Sequence, residues 1–417
     1  MTSLADYAGF AGRIRAEGLI SDPWCDGKPR FGMRPFYLAP DEYERLAAAA
    51  EHITAAHDEL VRLAMADERL RETYFHLGEV GRSVWDCSAP RWHGVARADL
   101  FLTKDGIACC ELNSDTPSGH AEAVTLSRLF ADAPGADPNV ELEARFCDLV
   151  GFSGKRLGKA LSDLVVGIVY PTEFTEDLGL VMLYERWLSA RGAKVVLGSP
   201  YNLRPAEGGK VALFGTPCDV FYRHYKTDWW VEREPVWLGD DPFPDMQPLS
   251  GPLCLLLEAE ARGSIVVQNP FGAIIPQNKR GLSVMWEERS RFSPRARAAI
   301  EAFLPPSFRL ETLDPGTLRT DREEWVLKSD YGCEGEETVV GKETAPGIWE
   351  QSLVEAVPGR WIAQRYFESR RDGEGNACNL GVYVIGGAAC GVYGRVSKGP
   401  TDGRALSVAV RIGKEPS

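Results

Sequence analysis

The chain lacks any apolar run long enough to cross a bilayer: nothing in its 417 residues approaches eighteen uninterrupted apolar positions, so no membrane partner is expected. The N-terminus, Met1-Thr2-Ser3-Leu4-Ala5-Asp6, lacks the basic region and apolar core of a secretory signal. The ten cysteines form no CxxC pair and the six histidines show no ligand spacing, which excludes a recognisable zinc site or disulfide framework and predicts a reduced, cytoplasmic setting. Positive charge is short as well. The net charge of −13 leaves no basic surplus for a nucleic-acid backbone, so no nucleic-acid partner is expected. GxSxG, GxGxxG and a Walker A sequence are all missing, which argues against a nucleophilic hydrolase and a dinucleotide enzyme.

What is present is an ordinary globular composition, 44% hydrophobic and 26% charged, in a chain long enough for two or three subdomains. Residues 41–70 carry a helical stripe of Tyr43, Leu46, Ala50, Ile53, Leu60 and Leu63, with Asp41 and Glu44 spaced as a cap. Residues 119–131 read as a second helix. The apolar run Leu164–Tyr170, a helix from about Glu176 to Arg191 and the strand Lys194–Leu197 make a strand–helix–strand unit, whose natural home is a parallel sheet. Asp219–Tyr225 and Ser264–Val267 read as further strands, with a helix over about 249–262 between them and loops at 199–210 and 234–251. Helical pattern returns over 277–303, Trp325–Asp330 reads as a strand, and residues 338–410 alternate like sheet.

The chemistry gathers in one stretch. Arg97-Ala98-Asp99-Leu100 is followed, after a hairpin signal at Lys104-Asp105-Gly106, by Glu111-Leu112-Asn113-Ser114-Asp115-Thr116-Pro117-Ser118. Strand alternation turns Glu111 and Asn113 to one face, with Asp99 expected near the end of the neighbouring strand. Two carboxylates and an amide oxygen are hard donors of the kind that suit Mg²⁺, although a solvated hairpin ending in an Asx turn reads equally well. A helix leaving Gly119 would aim its N-terminus at this cluster. Farther on, Lys328 ends an apolar strand and the loop containing Gly332 and Gly335 follows, a place where backbone N–H groups could wrap a phosphate or merely turn a hairpin. Lys279 opens a helix, Gln364 lies in the strand Ile362–Tyr366, and Arg395 ends another strand.

In order and together, these segments resemble the synthetase domain of the glutathionylspermidine synthase family, an ATP-grasp ligase. The resemblance rests on Arg97-Ala98-Asp99, Glu111-Leu112-Asn113-Ser114-Asp115-Thr116, Gln277-Asn278-Lys279, Val326-Leu327-Lys328 with Gly332-Cys333-Glu334-Gly335, Gln364 and Gly394-Arg395, spanning roughly residues 80–410. It implies Asp99, Glu111 and Asn113 as Mg²⁺ ligands and Lys279, Lys328, Gly332, Gly335 and Gln364 as the ATP site. Arg97 and Arg395 would hold the reacting oxygens, Thr116 and Ser118 would lie near the acceptor carboxylate, and Glu176 and Asp177 would receive a cationic amine. The family's Lys-Pro strand end is Lys328-Ser329 here, and the arginine of its phosphate-covering loop is replaced by Cys333.

The implied fold is α/β with α+β elements, ATP-grasp-like, with a parallel-sheet substrate domain and a mobile lid. Residues 1–150 would supply helices and the metal-binding part of the core, 151–270 the substrate domain, and 271–417 the lid and the rest of the core. The implied activity is ATP-dependent amide formation between a small-molecule or peptide carboxylate and an amine or polyamine. An ATP-binding relative that no longer turns over, acting as a partner or regulator, is the alternative. A ligase acting on a peptide or protein C-terminus shares the same nucleotide residues. Oligomeric state is not legible.

Overall fold

The computed structural model describes residues 4–172, 176–232, 249–332 and 337–415. At its centre is a five-stranded antiparallel sheet in the order Leu406–Val408, Ala388–Ser397, Ala377–Ile385, Val95–Leu102, Ile107–Asn113. It therefore joins chain segments nearly three hundred positions apart. One face packs on the long helix Pro40–Ala66, through Ala96, Ala98, Leu100, Cys109, Leu112, Leu380 and Val382 against Leu46, Ala50, Ile53 and Leu60. That helix begins at Pro40, with the Glu42 carboxylate reaching back to the Ala39 N–H at 3.1 Å, so the expected Asp41–Glu44 cap is displaced by a proline at the first helical position.

A second sheet of four strands is wholly parallel, in the order Val266–Gln268, Val220–Arg223, Val165–Val169, Lys194–Gly198. The helix Leu178–Ala190 makes the crossover predicted by the strand–helix–strand pattern, and Tyr184, Leu188 and Phe146 bury one face of the sheet. Helix Ser250–Ala261 covers the other face with Leu253 and Leu256. Residues 199–210, read as loop, hold a short strand at Leu203–Pro205 that pairs with Val211–Leu213. A third sheet orders Ser307–Arg309, Trp361–Arg365, Trp325–Ser329 and Thr338–Val340, all antiparallel. Its Trp325, Leu327 and Ala363 pack with Trp349 of helix Pro346–Glu355, which interrupts a stretch that alternates like sheet. Its opposite face, carrying Lys328, Ile362 and Gln364, turns toward the central sheet. Among the described residues no helix is long and apolar enough to cross a membrane.

Candidate active site

Asp99 pairs with Glu111 and Arg97 with Asn113 across the central sheet, so Asp99 lies in the middle of its strand and not near its end. The register then slips: Leu100 faces Cys109, and Cys110 is left over as a bulge. The slip has a consequence. Before it Ile107 and Cys109 face the helical core; after it Leu112 does, while Glu111 and Asn113 turn to the other side. On that side they join Arg97, Asp99, Asn379, Tyr383 and Arg395, each brought into one row by strand register. The bulged carbonyl of Cys110, no longer required by the ladder, accepts the Lys328 ammonium at 3.0 Å.

The arginines are locked on Asp99. Arg97 Nε reaches Asp99 Oδ1 at 2.6 Å and Arg97 Nη2 reaches Oδ2 at 3.1 Å. Arg395 Nη2 meets the same Oδ2 at 3.1 Å and Asn379 Oδ1 at 3.1 Å, while its Nε is buried without a partner. Burial opposes the charge on Arg97, yet the Asp99 carboxylate outweighs it and raises the pKa beyond its already high value. The Arg97 stem crosses Gly381, where a Cβ would lie 2.6 Å from Arg97 Cδ, so glycine is required for the crossing.

Glu111 faces Lys279 Nζ at 3.5 Å and accepts from Asn113 Nδ2 at 3.2 Å. Burial pushes its carboxyl up, but Lys279 and Lys328 pull harder and bring it down to about 2, which leaves an anionic donor. Lys279 and Lys328 are themselves buried, and Lys279 also donates to the Gly332 carbonyl. First-third carboxylates and last-third lysines therefore share one cleft. Among the described residues no three His, Cys, Asp or Glu side chains converge as a self-sufficient metal site. Asp99, Glu111 and Asn113 offer two carboxylates and an amide, which fits a hard cation whose other positions go to phosphate and water.

The following loop is fixed from two sides. Gln277 Oε1 accepts the Ser114 and Asp115 N–H groups at 2.8 and 3.0 Å. The Asp115 carboxylate takes the Thr227 N–H at 2.7 Å, the Thr227 hydroxyl at 2.8 Å and the buried guanidinium of Arg223. The Ser118 carbonyl accepts from Arg97 Nη1 at 2.9 Å and from the Tyr383 hydroxyl at 2.8 Å. Gly119, at φ 93°, turns the chain into helix His120–Leu129, and a Cβ there would strike the Tyr393 ring. Ser118 is thus tied to Arg97 through its carbonyl, and Thr116 and Ser118 are both half-buried.

The remaining expected residues separate. Gln364 is on the Lys328 face but spends its amide on Ser307 Oγ at 3.0 Å. Glu176 is exposed, whereas Asp177 is half-buried and contacts the buried His224 at 3.2 Å, so the two do not act as a pair. Gly335, with Cys333, Glu334 and Glu336, lies outside the described residues. Sequence reasoning did not single out Asn379, Gly381 or Tyr383. The only signal they gave was a polar or small residue on one parity of an apolar strand. A cleft of about 750 Å³ lies at the hairpin end of the same two strands, lined by Thr103, Ile107, Ala108, Arg365, Tyr366 and Phe367 among others and by none of the row's residues.

No family model matches the chain, and no curated protein matches it in sequence. Among solved structures it is similar to a glutathione synthetase-like effector from Globodera pallida, in its apo form. The TM-score is 0.58 at 11% identity, covering 97% of this chain and 96% of that one. A proposed gamma-glutamylcysteine synthetase from Methylobacillus flagellatus aligns over 87% of this chain and 84% of its own, with TM-score 0.46 and 13% identity, too distant to support an argument. The similarity to the effector extends over nearly the entire length of both chains, and it shows that this chain has a glutathione synthetase-like α/β fold.

Proposed function

We propose that the chain is an ATP-dependent carboxylate–amine ligase of the ATP-grasp kind, forming an amide through an acylphosphate, with a glutathione-like or other peptide carboxylate as donor. The observation that carries this reading is the meeting of Asp99, Glu111, Arg97 and Arg395 on one face of the central sheet with Lys328 from the third sheet and Lys279 from the start of a helix. A site built only for stability has no need of two buried lysines, two arginines and two carboxylates around a β-bulge.

In this reading the triphosphate lies along the strand Val95–Leu102, its phosphates at Asp99 and Glu111. Thr103, at the 750 Å³ cleft, is four residues farther on, about 13 Å at strand rise, which leaves the cleft for the base. A bound Mg²⁺ would be held by Asp99, Glu111 and Asn113 and would neutralise charge on the phosphates. Lys279 and Lys328 carry the rest of that charge. The donor carboxylate, set by Arg97 beside Thr116 and Ser118, attacks the γ-phosphorus. Arg395 then stabilises the oxyanion formed when the amine attacks the acylphosphate. The assignment to the glutathionylspermidine synthase family in particular, and with it a polyamine acceptor, belongs to this proposal.

The test is ADP and phosphate release from ATP and Mg²⁺ with glutathione as carboxylate and hydroxylamine as nucleophile, scored as hydroxamate. Stoichiometric hydroxamate and ADP are expected. ATP binding with neither product would move the protein to the reading of a nucleotide-binding regulator.

A further inference from the structure

Two imidazoles lie behind the Ser118-Gly119 turn, and the steps above do not use them. His120 opens its helix directly after Ser118-Gly119, buried, with neither ring nitrogen hydrogen-bonded. Its ring stacks on Tyr383 at 3.8 Å and meets Tyr184 edge-on at 5.5 Å. His224 follows strand Val220–Arg223 at the carboxyl edge of the parallel sheet, the usual ligand edge of such sheets. Its N–H continues the ladder to the Val169 carbonyl at 2.8 Å, so period-two alternation puts it on the face of Val220 and Tyr222. That face shares its apolar cluster with Tyr184, Tyr383 and Tyr393, next to Arg97 and Ser118.

His224 Nε2 lies 3.2 Å from Asp177 Oδ1, and its Nδ1 is buried without a partner. With Nε2–H directed at the carboxylate, Nδ1 is left as a free lone pair. A carboxylate-oriented imidazole with its second nitrogen free is the arrangement of a general base. Burial opposes charge on Asp177, yet His224 draws its carboxyl below the ordinary range, so the partner remains an anion. The groups facing His224 are Asp177 from the start of helix Leu178–Ala190 and His120 from the opposing helix, with Arg97 beyond it. Burial, reinforced by the charge of Arg97, holds His120 well below its ordinary value, so it stays neutral. Arg223 points to the other side of the sheet, onto Asp115.

We infer that His224, oriented by Asp177, is the base that takes a proton from the incoming amine, and that the acceptor is therefore an alkylammonium whose nucleophilic nitrogen arrives at this buried edge. The inference rests on the ligase reading. His224 Nδ1 accepts one proton of the ammonium, and the freed nitrogen lone pair forms the C–N bond to the acylphosphate carbonyl. The C–O bond to phosphorus breaks with its electron pair on the phosphate, which takes the second nitrogen proton. The imidazolium returns its proton to water. Asp177 is a positioning residue here: its carboxylate serves the imidazole and not the amine.

The experiment compares two nucleophiles on the full chain with ATP, Mg²⁺ and glutathione: hydroxylamine, already neutral at pH 7, and spermidine, which is not. His224→Gln is expected to lower the ratio of spermidine amide to hydroxamate about 100-fold. The ratio should recover as pH rises and the amine deprotonates unaided. Asp177→Asn, at a half-buried site and expected to fold even if His224→Gln does not, should lower the same ratio and shift the pH profile alkaline. An unchanged ratio in the folded variants overturns the base assignment and leaves the ligase reading standing. A wild-type protein that forms no hydroxamate overturns both.

Discussion

Glu111 is held at about 2 by two lysines delivered from elsewhere in the chain, and it is the side chain on which the proposed chemistry leans hardest. Glu111→Ala should abolish Mg²⁺-dependent ATP turnover; a wild-type rate of ADP release would dismiss the assignment. Lys328→Met removes a buried charge from the phosphate side and should weaken nucleotide binding at least tenfold, about 1.4 kcal/mol, measured by calorimetry with ADP. Arg395→Ala should lower turnover about 100-fold to 1,000-fold, the usual effect of deleting one oxyanion donor, while ADP affinity holds. His57, in the long helix, makes a different kind of prediction. Burial holds its imidazole down at about 4, with Nδ1 on the Ile53 carbonyl at 2.8 Å. Above about pH 6.5 both folded and unfolded forms are neutral and nothing changes. Between 6.5 and 4 the unfolded chain binds the extra proton, so this residue costs up to about 1.4 kcal/mol of stability per pH unit. His57→Phe should flatten the acid side of the stability curve from urea titrations, and an unaltered slope would count against that origin.

Elements were more legible than the positions within them. The parallel unit around Leu178–Ala190 follows directly from an apolar run, a breaker and a second run, and it forms as expected. Helix Pro346–Glu355 was missed because Ile348, Leu353 and Val354 give no clean stripe, and its only cue is a proline at the first position. The Cys110 bulge was invisible for a deeper reason: a one-residue slip leaves no compositional trace, since apolar residues flank it on both parities. The motif Glu-Leu-Asn was readable, whereas Asn379 and Tyr383 gain meaning only once a partner strand lies beside them. Glycine at 381 can be tested as a feature of its strand. Gly381→Ala should displace the Arg97 stem and reduce turnover with little loss of thermal stability; full activity would show that Arg97 can cross elsewhere.

At the scale of the molecule, the loop after Glu111 is where the sheets are tied together. Asp115 anchors it to Arg223 and Thr227 of the middle segment, and Gln277 anchors it to the last third. Asp115→Ala would strand the wholly buried Arg223 guanidinium without its carboxylate, a change that typically costs about 3–5 kcal/mol. A melting temperature lowered by several degrees, with ATP turnover lost alongside, is the expected result, and retained stability would show that the Tyr225 and Asn269 carbonyls suffice for Arg223.

The sheet that carries this machinery closes late. Strand Val95–Leu102 is flanked on one side by its hairpin partner and on the other by Ala377–Ile385, which leaves the ribosome only after some 275 further residues. Until then an apolar ribbon has one bare rim, open to any stray strand in a crowded cell. Translation arrest or truncation before Ala377 would therefore release an adhesive product, and such fragments should depend on chaperones far more than the finished chain does.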